Sequence, residues 1–145
     1  MRGKMRLALL LLALGLSASS YAGTASLLVE GSSGAMGTNG VLLEAVGMEI
    51  NNGVFLTILP KGCKLPCTVK QNFAARTVNQ PQIGFHLFRG NSSSVKNAHA
   101  LGTVHVSGFS PTPYGSTHVV VKFVADNSGI SLSVKDAVLE LVAPE

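Results

Sequence analysis

The amino-acid sequence predicts an all-β protein, built as an antiparallel β-sandwich of one domain. Apolar and polar residues alternate with a period of two in several short segments, and glycine, proline and asparagine separate these segments. Such alternation is typical of antiparallel sheets that bury one face. A helical period is sustained nowhere in the chain. The length of 145 residues, of which 46% are apolar, allows one domain with a core and hardly two.

The predicted strands begin after Asn51-Asn52-Gly53, a turn pattern that favours a tight β-hairpin. The apolar run Val54–Leu59 follows this turn and ends at Pro60. Four further segments alternate between an apolar and a polar face, over residues 82–88, 103–107, 118–125 and 130–135. A last short strand is predicted over residues 138–142. Several short strands at close spacing, with turn residues between them, predict a sandwich.

The first 22 residues have the layout of a secretory signal peptide. Three basic residues precede an apolar run over residues 7–16, and small residues lead to Ala22. This run is too short to cross a hydrocarbon core of ~30 Å, so an uncleaved membrane anchor is the weaker alternative. We expect removal of residues 1–22 and a product that is secreted or lies in the periplasm or secretory-pathway lumen. No stable membrane insertion is expected after cleavage.

The remaining chain divides by composition into two parts. Residues 23–40, rich in Gly, Ser, Thr and Asn, are predicted as a flexible tail or linker, and residues 41–145 as the sandwich domain. Three of the 11 Lys and Arg residues lie in the signal segment, which leaves 8 against 7 Asp and Glu. This near-neutral balance and the absence of Trp argue against a nucleic-acid partner.

Two cysteines, Cys63 and Cys67, are separated by three residues. A zinc site needs four ligands, and redox motifs usually carry two residues between the cysteines. Export would favour a structural disulfide, which requires Cα atoms within ~7 Å, but the sequence leaves the pairing open. Four histidines are scattered without ligand spacing, and no catalytic motif is present. We therefore expect no enzymatic activity, no metal and no cofactor.

Short motifs between residues 41 and 136 occur in the order and spacing of a known family. Val41-Leu42-Leu43-Glu44 is similar to its apolar interdomain linker, and Gly47-Met48-Glu49 with Asn52-Gly53-Val54 is similar to its first strand and first peptide-side loop. Further motifs follow at Leu59-Pro60-Lys61, Phe88-Arg89-Gly90, Gly108-Phe109-Ser110-Pro111-Thr112-Pro113-Tyr114-Gly115 and Val134-Lys135-Asp136. Together they resemble the substrate-binding β-domain of the DnaK-type, 70-kDa heat-shock chaperones.

This resemblance implies a groove that binds an extended, apolar peptide through a hydrophobic pocket and backbone hydrogen bonds. An arch over the peptide would be formed by the side chains at Asn51 and Arg76, which are polar here where the family usually has apolar ones. The alternative is that the apolar residues of the set are ordinary core residues. The positions carried over as peptide-binding are Met48, Ile50, Asn51, Val54, Phe73, Arg76, Ile83, Phe85 and Val119.

Two functions follow from this resemblance. The first is a secreted, ATP-independent module that binds extended apolar segments of unfolded proteins, because the resemblance includes neither the family's ATPase domain nor its helical lid. The second is a structural or interaction sandwich that has lost the groove and binds a folded protein partner through an open sheet edge.

Overall fold

The computed structural model describes residues 23–29, 39–74, 81–109 and 118–144. In these residues the chain forms two antiparallel sheets and one short 3-10 helix, Val95–Asn97, so the predicted all-β sandwich is confirmed. The strands are β1 (Thr24–Leu28), β2 (Ala45–Ile50), β3 (Val54–Leu59), β4 (Cys67–Ala74), β5 (Gln82–Gly90), β6 (His99–Ser107), β7 (His118–Asp126), β8 (Gly129–Lys135) and β9 (Val138–Val142). The predicted signal peptide lies outside the described residues.

The two sheets have four and five strands. The four-stranded sheet has the order β1-β8-β7-β4, and the five-stranded sheet has the order β3-β2-β5-β6-β9. The chain passes from one sheet to the other between β8 and β9 through Asp136 and Ala137. None of the described residues belongs to a helix long and apolar enough to span a membrane.

The core lies between the facing sides of the two sheets. Alternation directs every second side chain of β7 and β8 inward, so that Val121, Phe123 and Leu132 are fully buried. The five-stranded sheet contributes Val46, Leu87 and other apolar residues from the opposite side. Burial of such side chains stabilises the fold by roughly 1.5–3 kcal/mol each.

All six strands predicted from apolar runs and alternation occur in the structure. The strands predicted over 54–59 and 138–142 have these same ends in the structure, and the other four are longer by one to four residues than predicted. Neither feature predicted β1, β2 or β4. Residues 23–40 were predicted as a flexible tail, but within them Thr24–Leu28 form an edge strand paired with β8.

The β1 strand is ordered by a small apolar face. Ala25 and Leu27 lie opposite Val134 and Leu132 and pack against the core, while the intervening residues are exposed. Val29 follows, buried, and its amide donates a hydrogen bond to the Ile130 carbonyl over 2.8 Å. Two or three apolar side chains therefore suffice to order a segment whose composition is typical of a linker.

The linker-like segment Val41-Leu42-Leu43-Glu44 is part of the sandwich. Leu42 is fully buried, its amide donates to the Cys63 carbonyl over 2.9 Å, and its carbonyl accepts from the Gly62 amide over 2.7 Å. The adjoining loop also carries the two cysteines. Cys63 and Cys67 are joined as a disulfide with Cα atoms 6.0 Å apart, which is within the range the bond requires.

Candidate peptide-binding groove

The candidate site begins at the β2–β3 hairpin. Ile50 pairs with Val54, and the three residues between them turn the chain. Asn51, Asn52 and Gly53 all have positive φ angles of 45°, 56° and 108°. Asparagine and glycine adopt this left-handed region most readily, so the Asn-Asn-Gly sequence determines the turn.

A close contact between the two strands of the hairpin lies outside the main core. Gly47 lies beside Phe55 on the outer face, where a Cβ atom would come within 2.1 Å of the Leu56 carbonyl oxygen and 2.7 Å of the Phe55 ring. The loop after β5 supports the same corner, because the Phe55 amide donates to the Ser93 carbonyl and the Val95 amide donates to the Gly53 carbonyl, both over 2.9 Å. The turn end of the hairpin is therefore held by hydrogen bonds to the loop after β5.

The inner face of the hairpin carries four apolar side chains. Met48 lies opposite Leu56, and Ile50 lies opposite Val54, so all four point the same way. Met48 packs against the core, whereas Val54 and Leu56 are 44% and 37% exposed. Further along the same face of β3, Ile58 is buried. The inner face of β3 thus changes from core to exposed apolar surface towards the turn.

The hairpin and β5 separate at this point. The ladder between β2 and β5 runs from Ala45–Gly90 to Met48–Leu87 and stops there, although β5 extends five residues further to Gln82. An open groove of about 410 Å³ lies where the two strands part. It is lined by Met48, Glu49, Ile50, Asn51, Asn52, Gly84, Phe85 and His86.

Aromatic side chains form the base of the groove. Phe85 of β5 stacks on Phe73 of β4 with ring centroids 4.6 Å apart and ring planes within 6°, which joins the two sheets. The ring centroid of Phe85 also lies 6.1 Å from that of Phe123 in the core. Ile83 and Val119 are buried beside this stack. The base of the groove is therefore continuous with the sandwich core.

Polar groups border the groove on its outer side. The Nδ1 atom of His86 is hydrogen-bonded to the Thr103 hydroxyl at 2.9 Å, and Glu49 is the charged residue among the groove's lining. Across the residues that the structure describes, no group of three or more His, Cys, Asp or Glu is placed to hold a metal ion. The arrangement offers strand edges and apolar contacts to a ligand.

Comparison with known proteins places the chain in a family. A family model described as Hsp70 protein matches residues 28–140, which is most of the chain. The chain belongs to the Hsp70 family. The resemblance predicted from its motifs is thereby confirmed, and the matched part corresponds to a portion of the Hsp70 substrate-binding domain.

Individual relatives within the Hsp70 family are of moderate similarity. Heat shock cognate 70 kDa protein 3 of Dictyostelium discoideum is 30% identical over 86 residues, which cover 59% of this chain and 14% of that protein. Chaperone protein dnaK of Guillardia theta is 31% identical over 93 residues, or 63% of this chain and 15% of that protein. Chaperone protein DnaK of Ureaplasma urealyticum is 30% identical over 92 residues, with the same two shares. The chain thus spans about 15% of the length of these relatives.

The positions carried over from the Hsp70 resemblance fall into three groups. Met48, Ile50, Asn51 and Phe85 line the groove, and Val54 lies on the same face of the hairpin. Phe73, Ile83 and Val119 are buried in the core behind it, as the alternative interpretation expects of core residues. Arg76, the second predicted arch residue, lies outside the described residues.

Five further residues of the site were not predicted as binding residues from the sequence, among them Asn52 of the hairpin turn, which lines the groove beside Asn51. Leu56 lies on the apolar face of the hairpin, and the period-two spacing from Val54 could have indicated it. Glu49, Gly84 and His86 line the groove because β2 and β5 part beside them. No sequence pattern marks the place where a strand ladder ends, so these three could not have been identified.

Proposed function

We propose that this chain binds extended, apolar segments of unfolded polypeptides in the groove beside the β2–β3 hairpin. The observation that carries this proposal is the end of the β2–β5 ladder at Met48 and Leu87, one strand away from the exposed apolar side chains of Val54 and Leu56 on β3. A strand that opens away from its neighbour offers backbone groups to an extended peptide. Main-chain hydrogen bonds of this kind give affinity, and side-chain pockets give selectivity.

Apolar side chains of a bound peptide would contact the inner face of the hairpin. Val54 and Leu56 would lose water-exposed area when such a contact forms, and Phe85 lines the groove on the other side of β2. Full burial of one aliphatic side chain is worth roughly 1.5–3 kcal/mol, and such contacts would add to the main-chain hydrogen bonds of the peptide. The family membership of the chain supports the same ligand class.

We also propose that binding needs no ATP and that the protein acts after export. The groove is formed by side chains and backbone of this chain, and it is open on its outer side. The signal-like layout of residues 1–22 supports export. Addition of ATP should leave the peptide Kd unchanged, and protein recovered from the extracellular or periplasmic fraction should begin at Gly23. A Kd that shifts with ATP, or an unprocessed N-terminus, would contradict these two points.

The second candidate function is a sandwich without a working groove. The observation that favours it is the exposed, polar Asn51 at the arch position, which offers no apolar cover for a peptide. Such a protein would bind a folded partner through a sheet edge. It predicts no affinity for extended apolar peptides in a folded sample.

The proposed function is tested by fluorescence anisotropy with a labelled, extended, Leu-rich peptide and a scrambled acidic control peptide. Val54→Asp and Leu56→Asp place charge on the apolar face at exposed positions, so the fold should tolerate them. The matched control is Val142→Asp on β9 of the same sheet, because Val142 is 47% exposed against 44% for Val54. Phe85 is unsuitable for a charge because it is only 4% exposed and stacked on Phe73.

The unmodified protein should bind the Leu-rich peptide with a Kd in the micromolar range, equivalent to about −8 kcal/mol. Both hairpin variants should weaken binding at least tenfold, which corresponds to about 1.4 kcal/mol, while Val142→Asp should not. Equal weakening by all three variants would refute the groove assignment. Absence of binding by the folded, unmodified protein would favour the second candidate function.

A further inference from the structure

The outer face of the four-stranded sheet carries a concentration of lysine. Lys70 on β4 lies directly opposite Lys122 on β7, and Lys122 lies opposite Ser133 on β8, two residues before Lys135. All three lysines are exposed. We call this surface the lysine face; it comprises Lys70, Lys122 and Lys135 with the neighbouring exposed residues Leu28 and Val120.

The three lysines repel one another. Residues directly opposite on antiparallel strands have Cβ atoms about 4.5–5.5 Å apart, and diagonal neighbours about 7–8 Å, so like charges at these positions are destabilising. Two carboxylates lie at the ends of the same strands. Asp126 ends β7 and accepts a hydrogen bond from the Ser128 amide over 2.8 Å, and Asp136 follows β8 and accepts one from the Gly23 amide over 3.2 Å.

The lysine face forms no ion pair within the part of the chain that the structure describes. The salt bridge found there joins Arg89 to Glu44 on the other sheet, and none involves the three lysines. A shallow depression of about 480 Å³ lies between them, bordered by Thr24, Val120 and Ser133. An arrangement that violates the cross-strand charge rule is expected where a ligand supplies the missing charge.

The apolar residues of the face narrow the class of ligand. Leu28 is 54% exposed and Val120 is 49% exposed, on the same side of the sheet as the lysines. The four strands, spaced about 4.8 Å apart, carry these side chains on one continuous face. Basic side chains interspersed with apolar tips on one face complement a bilayer with anionic headgroups, in which lysines meet phosphates and the apolar tips enter the interface.

We propose that the lysine face docks on the surface of an anionic membrane, which leaves the groove at the β2–β3 hairpin free. This inference is independent of peptide binding, because it uses the outer face of the other sheet. Each lysine near an anionic surface contributes about a fivefold gain in partitioning, so three together contribute on the order of a hundredfold.

The test is co-sedimentation with vesicles of phosphatidylcholine mixed with phosphatidylglycerol, against phosphatidylcholine alone. The protein is residues 23–145, a range that contains every strand described, so that the apolar N-terminal segment does not contribute. The variant Lys70→Gln/Lys122→Gln/Lys135→Gln removes the charge of the face. The matched control, Lys61→Gln/Lys64→Gln/Lys96→Gln, removes equal charge from three exposed lysines outside it. Thermal unfolding confirms that both variants fold.

The unmodified protein should bind the anionic vesicles, should bind less as ionic strength rises, and should not bind phosphatidylcholine alone. The face variant should lose on the order of a hundredfold in partitioning, and the control variant should lose far less. Equal losses in the two triple variants would overturn the proposal, since net charge alone would then explain binding. Binding to poly-glutamate without binding to anionic vesicles would also overturn it, in favour of an acidic protein partner.

Discussion

Two hairpins of the sandwich follow the same period-two pattern and end in opposite environments. In the β7–β8 hairpin, the inward side chains Phe123, Ile130 and Leu132 are fully buried. In the β2–β3 hairpin, the inward side chains Val54 and Leu56 remain largely exposed near the turn. The first hairpin forms core and the second forms the wall of a groove.

The difference lies in what covers each hairpin. The β7–β8 hairpin is flanked by β4 and β1 within its sheet, and its inner face meets the opposite sheet along its length. The β2–β3 hairpin ends its sheet at β3, and β2 leaves β5 after Met48. Alternation therefore specifies which side chains point inward. Whether those side chains become part of the core or of a binding surface depends on the cover supplied by neighbouring strands.

The largest expected effect comes from truncating one side chain in each hairpin. Phe123→Ala should lower the free energy of unfolding by about 3–5 kcal/mol, because it leaves a cavity in a covered core. Leu56→Ala should cost less than about 1 kcal/mol, because Leu56 is partly in water already. Urea unfolding of both variants measures the difference. The peptide Kd should respond in the opposite order, with the larger change in Leu56→Ala.

Two outcomes of this test would contradict the comparison of the hairpins. If Leu56→Ala destabilised the fold as much as Phe123→Ala, the β2–β3 hairpin would be core and the groove assignment would fail. If Phe123→Ala weakened peptide binding under conditions in which it remains folded, the base of the groove would extend through Phe85 into the core.

The second test adds a methyl group to a glycine in each of the two strands that part. Gly47→Ala on β2 should destabilise the fold by about 1–3 kcal/mol, because the new Cβ would come within 2.1 Å of the Leu56 carbonyl oxygen. Gly84→Ala on β5 should cost less, because its nearest neighbour would be the His105 ring at 3.2 Å. Thermal unfolding of both variants shows which substitution destabilises the fold more. Equal costs would mean that β2 can shift freely away from the Leu56 carbonyl and the Phe55 ring of β3.

Alternation and turn residues predicted six of the strands and missed those that show neither clearly. The ends of β3 were predicted correctly because Asn51-Asn52-Gly53 and Pro60 bound its apolar run. The β4 strand alternates weakly because Gln71 points inward between Val69 and Phe73 at the sheet edge, and β1 has only two inward apolar residues. The groove needed the resemblance, because Phe73 and Phe85 are distant in sequence and meet only across the two sheets.

The third test concerns the disulfide, which lies at the other end of β3 from the groove. Reduction of Cys63–Cys67 should lower the free energy of unfolding by about 2 kcal/mol, the value expected for so small a loop. The peptide Kd should not change, because the loop is anchored to Leu42 rather than to the hairpin turn. Urea unfolding and anisotropy with and without reductant measure both quantities. A Kd that changes on reduction would show that the two ends of β3 are coupled.

The smallest expected effect concerns the turn of the β2–β3 hairpin. Asn52 has a φ of 56°, a conformation that costs an alanine roughly 1 kcal/mol more than it costs asparagine or glycine. Asn52→Ala should therefore lower stability by about that amount, and Asn52→Gly should change it by less. Because Asn52 also lines the groove, a strained turn should shift the hairpin and weaken peptide binding in Asn52→Ala alone. Weakening of equal size in Asn52→Gly would show instead that the asparagine side chain contacts the peptide, since glycine keeps the turn and removes only that side chain.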